Sequence, residues 1–137
     1  MIAPLLLVMA LSGPARVADE VVSNPAPTSE EAPIAEAFRA AQKGDFNAYL
    51  LVVHPERRGS PAMEAERKAT EWKRFLNQFK WYLTATEPPT FVVTAKDSDG
   101  PGLARVFLKD QTHPDRMPVP VRLMLDGTVW KVLVSSL

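Results

Sequence analysis

Two histidines, His54 and His113, are the first residues here that could do chemistry, and each precedes a proline. His113 stands in the run D-Q-T-H-P-D-R, so His113, Asp115 and His54 together offer nitrogen and oxygen donors for a metal. Two histidines on distant turns make a thin ligand set, and turn residues are the simpler reading. Asp97-Ser98-Asp99-Gly100 resembles part of a calcium loop. Aligned as an EF-hand, its first ligand falls on Ala95 and its last on Val106, so the pattern fails and a hairpin loop is expected, with Gly100-Pro101-Gly102 as its turn. There is no Walker-type glycine loop, no G-x-S-x-G and no H-E-x-x-H. The chain has no cysteine, which excludes disulfides, thiolate zinc sites, cysteine nucleophiles and a lipid-modified cysteine. The expectation is therefore no cofactor, no metal and no catalytic residues, leaning away from an enzyme.

What remains is charge, and its placement depends on strands. Four are expected, at about 91–96, 103–109, 118–125 and 128–135. Asp126-Gly127 between alternating segments signals a two-residue hairpin. That turn sets Leu125 opposite Thr128, Leu123 opposite Trp130, Val121 opposite Val132 and Val119 opposite Val134, an apolar core face. The other face then carries Arg122 directly opposite Lys131. By parity, strand 103–109 turns Ala104, Val106 and Leu108 inward and Arg105, Phe107 and Lys109 outward. If strand 91–96 buries Phe91, Val93 and Ala95, Lys96 also points out. Lys96, Arg105, Lys109, Arg122 and Lys131 thus form a cationic outer face with no acid within the strands. Like charges directly opposed are mildly destabilising. Acids at strand ends (Asp97, Asp110, Asp126), a protein partner or an anionic ligand would offset them; the plainer alternative is a solvated face with cations snorkelling over apolar neighbours.

Helices precede the sheet. Pro33 suits a first helical position, and Ile34, Ala37, Phe38 and Ala41 make an apolar stripe over about 33–43, closed by Gly44. Asp45 caps a second helix, about 45–53, carrying Phe46, Tyr49, Leu50 and Val53, and His54-Pro55 stops it. After a loop through E-R-R-G, Ser60-Pro61 opens the longest helix, about 61–83. Its stripe is Ala65, Ala69, Trp72, Leu76, Phe79 and Leu83, widened by Phe75 and Tyr82. Glu87-Pro88-Pro89 breaks it. The fold class is α+β, with helices packed on a curved antiparallel sheet.

The chain's 137 residues allow one domain. Met1–Gly13 is an apolar run too short for a bilayer-spanning helix, which needs about 20 residues, and it suits a signal peptide over 1–18 with cleavage near Ala15 or Ala18. The expected address is periplasmic or secreted, with no membrane span after cleavage. Residues 19–32 hold Pro25 and Pro27 among Ser, Thr, Asn and Glu, and read as a disordered tether. The domain is then 33–137. Sixteen basic and sixteen acidic residues, of which the leader removes only Arg16, give no general field for nucleic acid.

A-F-R-A-A-Q-K-G-D-F at 37–46 and V-P-V-R-L-M-L-D-G-T-V-W-K-V at 119–132 resemble the first helix and terminal hairpin of exported members of the nuclear transport factor 2-like superfamily. The resemblance implies a cone whose curved sheet wraps a long helix, with cystatin-like folds as the nearest rival. It does not supply a function, because that superfamily holds isomerases, dehydratases and binders alike. Its ketosteroid-isomerase type needs ionisable residues in the cone, and none of the core-facing strand positions (Phe91, Val93, Val106, Leu108, Val119, Val121, Leu123, Val132, Val134) is ionisable. The leading expectation is an exported, non-catalytic binding domain whose cone is filled by Trp72, Phe75, Phe79 and Trp130, using the cationic face or pairing as a homodimer through the sheet. The alternative is a small-molecule binder or a lyase/isomerase-type enzyme, with a pocket at the cone mouth near Tyr49, Tyr82, Arg105 or His113.

Overall fold

Each alternating run in the second half of the chain pairs with the next. In the computed structural model, which describes residues 15–137, these runs are β3 (Pro89–Gly100), β4 (Leu103–Leu108), β5 (Val119–Asp126) and β6 (Val129–Ser135), an antiparallel meander. The sheet has six strands rather than the four expected. The additional ones are β1 (Ala15–Ser23) and β2 (Leu83–Thr86), both antiparallel to β3. Phe91 lies opposite both Val22 and Leu83, so β1 runs along one edge of β3 while β2 precedes β4 on the other. The helices therefore sit mid-chain, between β1 and β2.

β1 takes up the first part of the stretch expected as a disordered tether over 19–32. Residues 20–23 bury little apolar surface, but the edge of β3 pairs their backbone, and Val22 reaches the core. A turn comes next, in which Ser29 N–H and Oγ both donate to the Ala26 carbonyl at 2.9 and 2.7 Å. The expected leader falls largely outside the described residues, since only 15–18 of it are described, as the start of β1.

α1 (Ala32–Lys43) carries the expected stripe, with Ile34, Ala37, Phe38 and Ala41 buried, and Gly44 closes it at φ 65°. α2 (Phe46–Val52) is capped by Asp45, whose carboxylate accepts from Ala48 N–H at 3.0 Å. The loop expected after His54 contains a single turn, α3 (Pro55–Arg58). The long helical stretch is α4 (Pro61–Arg67), a π turn (Lys68–Trp72), α5 (Lys73–Gln78) and a 3-10 turn (Phe79–Tyr82). The π turn alters the buried face. Its extra residue rotates the downstream helix by about 100° relative to an uninterrupted stripe. The buried positions become Arg67, Trp72, Phe75, Phe79 and Tyr82, with a five-residue step across the π turn. Ala65 and Ala69, expected in the stripe, are exposed.

Aromatic rings fill the space between helices and sheet. Phe75 packs against Phe38, Tyr49, Trp72 and Phe79 with centroids 5.6–6.2 Å apart, and Phe38 meets Phe91 of β3 at 5.3 Å. Beneath them lie Val93, Val106, Leu108, Val121 and Leu123, all buried. The outer edge of β6 is partly covered, because Val53 bridges Val132 in parallel and His54 N–H donates to the Val132 carbonyl at 2.8 Å.

Candidate functional site

Two β-bulges divide the expected cationic face. A bulge between Val93 and Ala95 places Lys96 opposite Val106, on the core side of the sheet, instead of outward. Its amine lies 2.8 Å from the buried Glu31 carboxylate at the start of α1 and 3.7 Å from Glu30. The hydrogen bond to Glu31 holds the Lys96 pKa above the ordinary lysine value. A second bulge, between Arg122 and Leu123, sets Arg122 opposite Val134 and sends Val134 outward, where it is 38% exposed, although the alternation put it in the core. The hairpin itself turns one residue later than expected, at Gly127-Thr128, so Lys131 faces Met124 and not Arg122. The cation that does face Arg122 is Arg105 of β4.

None of the five cations lacks a carboxylate. Arg105 is clamped by Asp97 and approached by Asp99 at 3.9 Å, which raises its pKa, chiefly through the Asp97 hydrogen bond. Asp99 also lies 3.8 Å from Arg122; Lys109 reaches Asp19 of β1 at 3.3 Å and Lys131 reaches Asp126 at 3.3 Å. Asp97 and Asp126 offset the face as strand-end acids should. Asp110 does not. The segment Asp97–Gly100, expected as loop, is strand, and only Pro101-Gly102 turn.

Asp110 serves the β4–β5 loop. Its side chain is 0% exposed and accepts from the backbone N–H groups of Thr112 and His113, both at 2.9 Å, from His113 Nδ1 at 2.9 Å and from Arg116 Nη1 at 3.1 Å. Burial raises its pKa, but the donors from His113 and Thr112 outweigh burial and hold the carboxyl below the ordinary aspartate range. The pair orients the His113 ring, which meets Trp81 edge-on at 4.9 Å. Such a carboxylate–imidazole pair leaves Nε2 as a base or ligand position. Asp115 makes no hydrogen bond or ion pair within the described residues, and no group of three or more His, Cys, Asp or Glu there is placed to hold a metal. His54 is committed elsewhere: Nδ1 accepts from Glu56 N–H at 3.1 Å and Nε2 lies 3.1 Å from the Leu125 carbonyl. It staples α3 to the hairpin.

The residues expected at the cone mouth do not converge. Tyr49 and Tyr82 are buried, Arg105 is on the outer face and His113 is on an exposed loop. Tyr49 donates to Glu71 Oε2 at 2.6 Å, and burial, with Glu71 beside it, pushes its pKa up. Glu71 sits in the π turn beside the buried Arg67, which donates to the Arg57 and Arg58 carbonyls and so closes the C-terminus of α3. Between α1, α5 and the sheet, next to Phe75, Val121 and Val132, lies a cavity of about 10 Å³. That is about one water.

Several clefts open on the surface, two of them along α1. One, of about 220 Å³, is apolar and lies between Pro25, Pro27, α1, α2 and the β5–β6 hairpin, with Leu51, Val129 and Trp130 in its walls. The other, of about 680 Å³, lies between the C-terminal half of α1, the 3-10 turn and the β2–β3 turn. It is lined by Arg39, Lys43 and Lys80, with Glu87 the one acid and with Phe79, Pro88 and Pro89 as apolar surface. Neither Lys43 nor Lys80 is among the candidate residues that the sequence suggests. The available signal was the Pro88-Pro89 break, which folds the chain back past the end of α1. Comparisons with family models, curated proteins and solved structures found no match.

Proposed function

We propose that this chain is an exported, non-catalytic binding domain that works through its surface. The observation that carries this reading is the packed interior: aromatic rings lie between helices and sheet, and the cavity beside Phe75, Val121 and Val132 holds only about 10 Å³, where small-ligand pockets run to about 300–1,000 Å³. The layering of a long helical segment on a curved sheet is in keeping with the nuclear transport factor 2-like resemblance, in which enzymatic members use the cone. Here aromatic rings occupy the corresponding space between helices and sheet. The outer sheet face is a weak candidate for anion capture, because its cations already face carboxylates.

Export fits the sheet. Cleavage after Ala18 would leave the pairs Glu20–Val93 through Ser23–Thr90 intact, because the β1 irregularity separates them from Ala15 and Arg16. Among the described residues no helix is long and apolar enough to cross a membrane. The interior claim is tested by ligand-observed NMR with single-ring and steroid-sized apolar compounds. No saturable binding is expected, and saturable binding that protects the core would overturn it. Intact mass and fractionation test the address: a periplasmic product beginning near Ala15–Asp19 supports export, and a full-length cytoplasmic product contradicts it.

A further inference from the structure

The larger cleft brings together cations from elements far apart in sequence, and it is built to hold its shape. Gln42 Nε2 donates to the Thr86 carbonyl at 2.9 Å, tying α1 to the β2–β3 turn. Arg39 donates to Asn24 Oδ1 at 3.0 Å and is paired with Glu36, which fixes one wall. Phe79, anchored in the core by Phe75, gives the cleft an apolar wall that cannot swing away. Lys43 and Lys80 project from this frame, and among the described residues neither has a carboxylate within 4.0 Å, unlike the five sheet cations. A volume of about 680 Å³ falls inside the small-ligand range.

We infer that this cleft is an anion-binding site for a small organic ligand bearing a phosphate or carboxylate group on an apolar body. The anion sits between Lys43 and Lys80, and the apolar body lies against Phe79 and the prolines. Glu87 disfavours ligands that carry a second negative charge on that side. This inference rests on the reading of the chain as a surface binder and adds the ligand class and the place.

The test titrates the isotope-labelled chain with phenyl phosphate, benzoate and inorganic phosphate, following backbone amide shifts. Saturable shifts at Gln42, Lys43, Lys80, Thr86 and Glu87 are expected for at least one ring-bearing anion, stronger than for inorganic phosphate. A response to phenyl phosphate alone assigns a phosphate ligand, and a response to benzoate alone a carboxylate. Lys43→Gln with Lys80→Gln should weaken binding by about tenfold or more, the loss of charge-assisted contacts, and Lys43→Glu with Lys80→Glu should abolish it. Both pairs are on exposed positions, and an unchanged amide spectrum elsewhere verifies the fold. Absence of saturable shifts, shifts confined to Arg105 and Arg122, or unchanged affinity in the variants overturns the site. Shifts in core amides with apolar compounds would instead overturn the filled-interior reading and leave the cleft untouched.

Discussion

The outer sheet face and the cleft beside α1 hold the same kind of residue and differ in what surrounds it. On the sheet, Arg105, Lys109, Arg122 and Lys131 each face an aspartate from a strand end or from β1. In the cleft, Lys43 and Lys80 share the walls with Glu87 and apolar surface, and among the described residues no carboxylate lies in pairing distance of either. A count of cations along strands therefore says little about an anion site. What matters is whether the fold delivers acids to them. β1 supplies one of those acids, Asp19, while the start of α1 supplies the carboxylates that enclose Lys96.

Substitutions can break this contrast, beginning with the core that both regions rest on. Phe75→Ala removes the ring that contacts four other aromatics and should cost about 3–5 kcal/mol in urea unfolding, while opening a cavity. An unaltered midpoint would show that the interior is not packed as described. Asp110→Asn removes the charge that four donors address, and a loss of about 1.5–3 kcal/mol is expected at neutral pH. The pH dependence has a fixed sign. Because the folded Asp110 pKa is depressed, its contribution is complete above the unfolded value near 4 and is lost as pH falls through the lower folded value. The wild type should thus lose stability on acidification in that window more steeply than the asparagine variant; parallel curves would show that Asp110 does not anchor the loop.

Smaller effects separate the cations themselves. Lys96→Met leaves the buried Glu31 carboxylate without its partner and should cost about 1–2 kcal/mol, against about 0.5 kcal/mol or less for Lys131→Met, whose partner Asp126 is exposed. Equal losses in chemical denaturation would erase the distinction drawn from the bulge. Smallest of all, Arg122→Glu with Lys131→Glu should leave anion binding in the cleft within about twofold of wild type by NMR titration, since charges on that face are screened by salt. Loss of binding there would return the site to the sheet.

The sequence carried the α+β class, the order of helices before the meander and most inward positions of β3 to β6, because period-2 and period-3.6 patterns report burial directly. It did not carry the two bulges. One extra residue reverses parity without altering composition, which moved Lys96 in and Val134 out. The π turn is the same problem in a helix: Arg67 and Trp72 are buried five residues apart, a spacing no helical stripe anticipates. β1 was illegible for another reason. Its residues are held by backbone pairing with β3, and backbone bonds leave no mark on side-chain hydrophobicity. The cleft was hidden because Lys43 and Lys80 lie on elements far apart in the chain, and its third wall, the β2–β3 turn, comes from a further one.

The proposed surface binding rests on a packed interior between helices and sheet. Its most direct test is methyl NMR of Val106, Val121, Leu123 and Val132 under xenon pressure, with Phe75→Ala as the opened control. No saturable, methyl-specific shift is expected in the wild type, and a clear one in the variant. A saturable shift at these methyls in the wild type would reveal an interior pocket and contradict it.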